Sequence, residues 1–532
     1  RAAGKIMQDP FARVIRGREK FGAPVSEDEH AVRCGFLSEK EYDWKEDTAP
    51  QIPYNEMILY KVHVRGYTKQ AKLSPRKKGT FAGLVEMIPY WKEMGINAIE
   101  LMPAYEFQEC TRKETAGSMA VRSKKDDRIN YWGYAQGFYF APKASYCATR
   151  EPDREFRDMV HALHQAGIEC IMEMYFPENT PSLQVVRSLW MWKLFYHVDG
   201  FHVRGVQGIC NLMATDPLFA DTKLLNIYFP VEEIYGKKNL PKKRMVAECN
   251  DGFMIDVRRF LKGDEESLKA FAERMRRNPK GSGLINYIAS HDGFTLCDLV
   301  SYEERHNEDN GEQNRDGRVQ NYSWNCGEEG DSTNPEVLSL RFRMIRNACA
   351  VLMSSRGTPM FLAGDEFGNT KHGNNNTYCQ DNETSWINWK LLEKNHDLFE
   401  FFKFMIRFRK DHPVISRKLP NAVCGMENIH THNIDARDVT IPRDAHTFAV
   451  SFAGYDKSKG TDDLIYIVIN AYWEDVTVTL PELARPGAWY LCVNTFGDGN
   501  GRYFYEKGQE PRIEHDFCMR PRSVAIFTGR NY

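Results

Sequence analysis

Several short segments place residues that can carry charge or move protons beside runs of apolar side chains. In "HVDGFHVRGVQ" the apolar run through Phe201 and Val203 is interrupted by His202 and Arg204. "IECIMEMYF" is followed by Pro177, Glu178 and Asn179, "INYIAS" by His291 and Asp292, "MFLAG" by Asp365 and Glu366, and "NAIELMP" by Tyr105 and Glu106. One such residue alone is an ordinary ion pair or helix cap. Several gathered on one rim would form a polar pocket. "NYWGYAQGFYFAP", with Trp132 and Tyr134, and "NYSWNCG" set aromatic rings beside amides and glycines. Such surfaces suit sugar rings, which stack through their C–H faces while their hydroxyls take hydrogen bonds.

The segments that must position these residues alternate in character. Amphipathic stretches such as "FAGLVEMIPYWKEMG" and "EFRDMVHALHQAG" each lead into a short apolar run, "INAIELMPA" and "IECIMEMYF". That alternation predicts α/β packing on parallel strands, whose crossover helices cover the sheet. In a parallel α/β barrel, chemistry sits where strands end and loops begin, so the polar residues above are the place to look. Beyond about residue 415 the pattern becomes alternating strands, among them "HTFAVSFAG", "DLIYIVINA" and "AWYLCVN", which predict a separate C-terminal antiparallel β domain. The expected domains are a connector over 1–50, a barrel over 51–414 and the β domain over 415–532.

Composition narrows the partners. With 71 basic and 73 acidic residues the net charge is -2, which gives no electrostatic case for nucleic acid or an anionic membrane. The 13 cysteines lack metal-site or CxxC spacing and fit reduced thiols in a cytoplasmic protein. No metal or cofactor is expected.

Over nearly its whole length the chain resembles isoamylase and the bacterial glycogen-debranching enzymes of the α-amylase superfamily, glycoside hydrolase family 13. The segments that carry this are "NYWGYAQGFYFAP", "SHDGFTLCDLVSYEERHNEDNGEQNRDGRVQNYSWNCGEEG" and "GTPMFLAGDEFGNTKHGNNNTYCQDNETSWINW". The resemblance implies a (β/α)8 TIM barrel with a C-terminal antiparallel β-sandwich, and makes "DPFARVIRGREKFG" the exit from an N-terminal β-sandwich module. It implies cleavage of α-1,6 branch points in glycogen, starch or maltooligosaccharides by a retaining mechanism. That mechanism needs a carboxylate nucleophile and a carboxylic acid about 5 Å apart.

Set against the family's motifs, this sequence keeps one of four. His291 and Asp292 match the hydroxyl-binding pair, and Tyr134 the stacking aromatic. In the first motif Glu173 stands at an aspartate position, Pro177 at an asparagine and Glu178 at a histidine. In the second, His202 replaces the orienting arginine and Arg204 the nucleophile, a role that guanidinium, with no lone pair, cannot take. "MVAECND" would make Glu248 the acid. "AECNDGFMIDVRRFLKGD" gives a longer match, by which the acid position falls on Ile227 in "DTKLLNIYF".

Three readings follow: a non-catalytic subunit that binds glucan or an active debranching partner, an active α-1,6-glucosidase using Glu248 or Glu178, and a barrel serving only as an interaction surface. Sugar contacts are expected from Trp132, Tyr134, His291, Asp292, Glu173, Glu178 and His202. Arg204 is expected to pair with Asp292 or Glu173, since a buried guanidinium needs a counter-charge.

Overall fold

The computed structural model describes residues 9–24, 31–37, 42–110, 128–206, 208–436, 441–442, 444–483 and 487–531. Eight parallel strands close a barrel: β1 (Leu59–Val62), β2 (Ala98–Leu101), β3 (Glu169–Phe176), β4 (Gly200–Gly205), β5 (Lys223–Asn226), β6 (Val246–Cys249), β7 (Gly283–Asn286) and β8 (Thr358–Leu362). The expected (β/α)8 barrel is therefore present. β7 is shorter than "INYIAS" suggests. It stops at Asn286, so His291 and Asp292 stand on the loop beyond the strand.

Two tiers of side chains fill the barrel, and the two-residue period of a strand decides which they are. Leu59, Ala98, Ile171, Leu225, Ala247, Ile285 and Met360 pack together as an apolar tier. Two residues further along, the same inward face presents Lys61, Glu100, Glu173 and Cys249, and the register sets His202 beside Glu173. The upper tier is charged, and it opens toward the mouth.

The helices follow their sequence signals. In α1 (Pro152–Gln165) proline begins the first turn, Asp153 and Glu155 complement the helix N-terminus, and Phe156, Met159, Val160 and Leu163 face inward. α2 (Ser182–Tyr196) ends at His197, whose left-handed φ of 53° turns the chain toward β4. α3 (Asp251–Lys262) is capped by the Asn250 side chain, which accepts from the Phe253 N–H, and closes at Gly263.

The C-terminal region forms a six-stranded antiparallel sheet in the order β9 (Ile429–His432), β10 (Thr447–Asp456), β11 (Thr461–Asn470), β16 (Ser523–Asn531), β13 (Gly487–Asn494), β14 (Arg512–Ile513). A two-stranded sheet, β12 (Val476–Thr479) with β15 (Asp516–Met519), lies over it. Phe448, Val450, Phe452, Ile465 and Ile467 join the barrel's core, while Ala449, Leu464, Tyr466 and Phe527 pack against β12 and β15. Because both faces are covered, β10 and β11 are buried along almost their full length.

Of the predicted connector, residues 1–8, 25–30 and 38–41 lie outside those described. The remainder follows the barrel wall: Phe11 meets Phe140 at 5.1 Å, Phe21 stacks on Tyr146 at 5.8 Å and Trp44 on His197 at 3.8 Å. Asp47 anchors it, lying against the Nδ1 atoms of His161 (3.2 Å), His164 (3.0 Å) and His197 (2.7 Å). His164 also reaches Asp199 through Nε2 at 3.0 Å, so both ring nitrogens donate and the ring is an imidazolium. Burial alone would lower its pKa, but Asp199 and Asp47 carry it up to about 9. The resulting stability, about 3 kcal/mol by linkage, is fully present below about pH 6.5 and is lost as pH rises through 9. Asp47, held below its usual value against the pull of burial by His197 and His164, contributes in the opposite sense and loses its share only in acid. Urea unfolding should therefore show the wild type losing its advantage over His164→Gln between about pH 6.5 and 9.5. An advantage that stays constant across this range would refute the assignment.

Candidate functional site

Lys61 stands at the centre of the charged tier. Its ammonium, 1% exposed, donates to Glu100 Oε1 at 2.6 Å and to Glu173 Oε2 at 2.7 Å, and both carboxylates are fully buried. His202 Nδ1 donates to Glu100 Oε1 at 3.0 Å and lies 3.6 Å from Glu173 Oε1. Arg204 closes the group from above with an ion pair from Nε to Glu173, so of the two partners expected for it the structure selects Glu173. Gly205, at φ 87°, follows at once, and a Cβ there would run into the Phe176 carbonyl of the neighbouring strand.

Burial opposes every one of these charges, and the partners overcome it. Glu100 would rise on burial alone, but Lys61 and His202 take it down to about 2. Glu173 is likewise held far below the usual carboxylate range by Lys61 and Arg204. Burial would lower His202, whereas Cys249 and Glu100 raise it to about 9. Lys61 is raised for the same reason, through Glu100 and Glu173.

An aromatic and polar wall rises from this floor. The Tyr134 hydroxyl donates to Glu173 Oε2 at 2.6 Å, and the Arg204 guanidinium sits 5.8 Å from the Tyr134 ring centroid. Tyr134 stacks on His291 at 5.2 Å, and Trp132 meets His291 edge-on at 4.9 Å. Asp292 is reached by Arg318 at 3.1 Å and lies 4.0 Å from His291 Nδ1. Burial would raise its carboxyl, but His291, Arg204 and Arg318 hold it well below the normal range. Burial and Lys61 keep His291 neutral, its pKa well under 6.5. Tyr134, Trp132, His291, Asp292, Glu173 and His202 are thus brought together as expected from the sequence.

The other expected residues are not. Glu178 is exposed in the turn after β3 and takes no part in the cluster. Glu248 lies on β6 between the inward-facing Ala247 and Cys249, so it points out of the barrel, where Arg277 approaches it at 3.4 Å. Ile227 has the inward parity of Leu225 but stands beyond the last residue of β5, 74% exposed at the rim. Asp365 and Glu366 are internal fixtures. Asp365 accepts from the Leu296 and Leu362 N–H groups, and Glu366 from the Tyr60 and Tyr90 hydroxyls. Glu106 is paired with Lys143 at 2.9 Å, and the Tyr105 hydroxyl donates to backbone carbonyls.

Lys61, Glu100 and Cys249 belong to the tier but were not singled out in the sequence. The signal that exposed His202 and Arg204, a polar residue within an apolar strand, is equally present in "ILYKVHV" and "NAIELMP". Glu100, Glu173 and His202 offer ligand atoms within 4.8 Å of one another, a spacing a metal ion could use. The Lys61 ammonium already takes one oxygen of each carboxylate and would compete with a cation for them, so the group is charge-paired and does not fit a resident metal, although Glu100 Oε2 is left without a hydrogen-bond partner.

No profile of a known protein family matches the chain. The glycogen operon protein GlgX homolog of Mycobacterium tuberculosis is 34% identical over 506 residues, covering 78% of this chain and 68% of that protein. Chloroplastic isoamylase 3 of Oryza sativa subsp. japonica is 30% identical over 576 residues, covering 92% of this chain and 70% of its own length. Among solved structures, the type I pullulanase of Bacillus subtilis complexed with maltose superposes with a TM-score of 0.68 at 19% identity, covering 98% of this chain and 75% of that one.

Proposed function

This chain belongs to the isoamylase and bacterial glycogen-debranching type of the α-amylase superfamily, and from that premise we propose that its barrel binds α-glucan without hydrolysing it. The observation that carries the proposal is the Arg204 ion pair with Glu173. A retaining glycosidase forms a covalent bond from a carboxylate to the sugar, and at that position this chain holds a protonated guanidinium, which has no lone pair to offer. At the acid position Ile227 has no proton to give. Glu248 cannot substitute, because it faces Arg277 outside the barrel.

What remains is a recognition surface. The Tyr134 ring, with Trp132 and His291 behind it and Asp292 at its side, offers a stacking face and hydroxyl partners to a glucose unit. The maltose complex of the similar pullulanase supports the same ligand class here. Glycogen included in a native gel should retard the protein, and Tyr134→Ala should weaken that retention about tenfold. Unchanged retention in Tyr134→Ala, or none in the wild type, would remove the pocket from the proposal.

A partner role is favoured by a separate observation. Seven of the 13 exposed large apolar side chains among the described residues, from Leu183 to Tyr228, fall between the start of α2 and the rim beyond β5. We assign these exposed apolar side chains to contact with an active debranching-enzyme subunit, and the compartment to the cytoplasm. All 13 cysteines are free thiols, and no helix among the described residues is long and apolar enough to cross a membrane.

A further inference from the structure

The barrel pocket employs Trp132 and Tyr134 but leaves a second aromatic group, in the C-terminal domain, without a task. Of the ten tryptophans Trp473 alone is exposed, at 60%. Tyr472 lies behind it, with ring centroids 4.1 Å apart and planes inclined by 32°, and His446 stacks on Tyr472 at 5.9 Å. Supported from one side, the indole offers its open face to solvent.

The turn that carries these rings, 471–475 between β11 and β12, is fixed by a buried amide. Asn470, 1% exposed, accepts from the Tyr472 N–H at 3.0 Å and donates to the carbonyls of Glu474 at 2.9 Å and Arg520 at 3.1 Å. The Ala471 N–H donates to the His446 carbonyl at 2.9 Å, and the Arg522 N–H to the Tyr472 carbonyl at 3.0 Å. A ring on so anchored a turn loses little freedom when a ligand stacks on it.

A polar edge adjoins the rings. β12 pairs Val476 with Met519 of β15, which brings Asp475 and Arg520 together at one end of that sheet, two residues beyond Trp473. Arg520 Nη1 donates to Asp475 Oδ2 at 2.9 Å, and its guanidinium carbon sits 4.9 Å from the Phe496 ring centroid. The two charged side chains are 49% and 44% exposed, so they are held in place yet open to water. A flat apolar face with such an edge suits a pyranose, which carries C–H groups on its faces and hydroxyls around its rim. It suits a protein partner less well. Besides Trp473, only Val423 and Ile434 are large exposed apolar side chains among the described residues of this domain, whereas a protein interface covers about 800 Å² on each partner around an apolar centre.

We propose that Trp473, backed by Tyr472 and edged by Arg520, is a second α-glucan contact, carried by the C-terminal β domain and not by the barrel. The indole stacks on a glucose unit, and the guanidinium N–H groups that Asp475 does not take donate to its hydroxyls. The ligand class rests on the glucan reading of the barrel, but the contact itself uses none of the barrel's residues. A branched polymer that occupies both contacts is held more tightly than by either, because the second binds at the effective concentration set by the first.

The test is oxidation of tryptophan by N-bromosuccinimide, followed by peptide mass spectrometry on the folded full chain, with maltoheptaose as probe. Trp473 should be the first indole oxidised, and maltoheptaose should slow its oxidation about tenfold once the free fraction of the site falls to about a tenth. The same protection should appear in Tyr134→Ala, which removes the barrel's stacking face. In a native gel containing glycogen, Trp473→Ala should weaken retention about tenfold with its denaturation midpoint unchanged, and Trp473→Phe, which keeps a ring, should restore most of it. Oxidation of Trp473 that maltoheptaose does not slow, or retention by glycogen that Trp473→Ala leaves unchanged, overturns the second contact while the barrel pocket stands. Protection that disappears in Tyr134→Ala also overturns it, since the indole would then report on the barrel. Protection in Tyr134→Ala by a protein whose retention in glycogen does not depend on Tyr134 supports this contact and removes the barrel pocket instead. Protection by a second copy of the chain in place of the sugar would make the face a protein contact and overturn the proposal.

Discussion

Lys61→Met should lower the unfolding free energy by about 3–5 kcal/mol, the cost of stranding buried carboxylates without their cation. Lys61 is the cation that Glu100 and Glu173 share, both of them fully enclosed. Methionine fills a similar volume but leaves Glu100 dependent on His202 and Glu173 on Arg204 and Tyr134. Adding Glu100→Gln to the variant removes one stranded charge, so the double variant should be more stable than Lys61→Met alone, a coupling that a double-mutant cycle isolates. The acid limb should move as well. Carboxyls held as low as Glu100, about 2, contribute stability above roughly pH 4 that is lost as pH falls toward 2. Without Lys61 those values rise, and acid unfolding should begin at a higher pH. Denaturant curves at neutral and acid pH measure both effects, and a loss under about 1 kcal/mol would mean that Lys61 is not the keystone described here.

The second large effect is on catalysis. Incubated with glycogen or pullulan, the purified chain should release reducing ends at least about 10⁴-fold more slowly than an active debranching enzyme, because deleting a nucleophile removes the covalent step outright. The comparison should use equal enzyme and a reducing-end assay run to days. Release that disappears in Glu248→Gln would reverse the conclusion, since it would make an outward-facing carboxylate the acid after all.

Much of this was legible in the sequence, for physical reasons. The alternation of amphipathic and apolar segments predicts parallel α/β packing with polar residues at strand ends, and the family resemblance supplies the barrel and groups Tyr134, His291, Asp292, His202 and Arg204 at its mouth. Whether Glu248 or Ile227 holds the acid position depends on strand parity, and a one-residue difference in where a strand begins inverts it. Only the register of β6 against β5 and β7 fixes that Ala247 faces in and Glu248 out. Glu178 was misjudged because a turn after a strand can point anywhere. Lys61 and Glu100 were hidden for the opposite reason: each is a single polar residue in an apolar strand, and its meaning comes from partners 39 and 112 residues away.

The tiered interior also bears on which side chains position 204 can accept. Arg204, His202 and Lys61 are arranged around two carboxylates, above an apolar floor. Arg204→Asp alone would set a third carboxylate against Glu173 beside Asp292 and leave an unpaired buried charge. The residues that now stabilise the barrel would therefore penalise any single carboxylate placed at position 204.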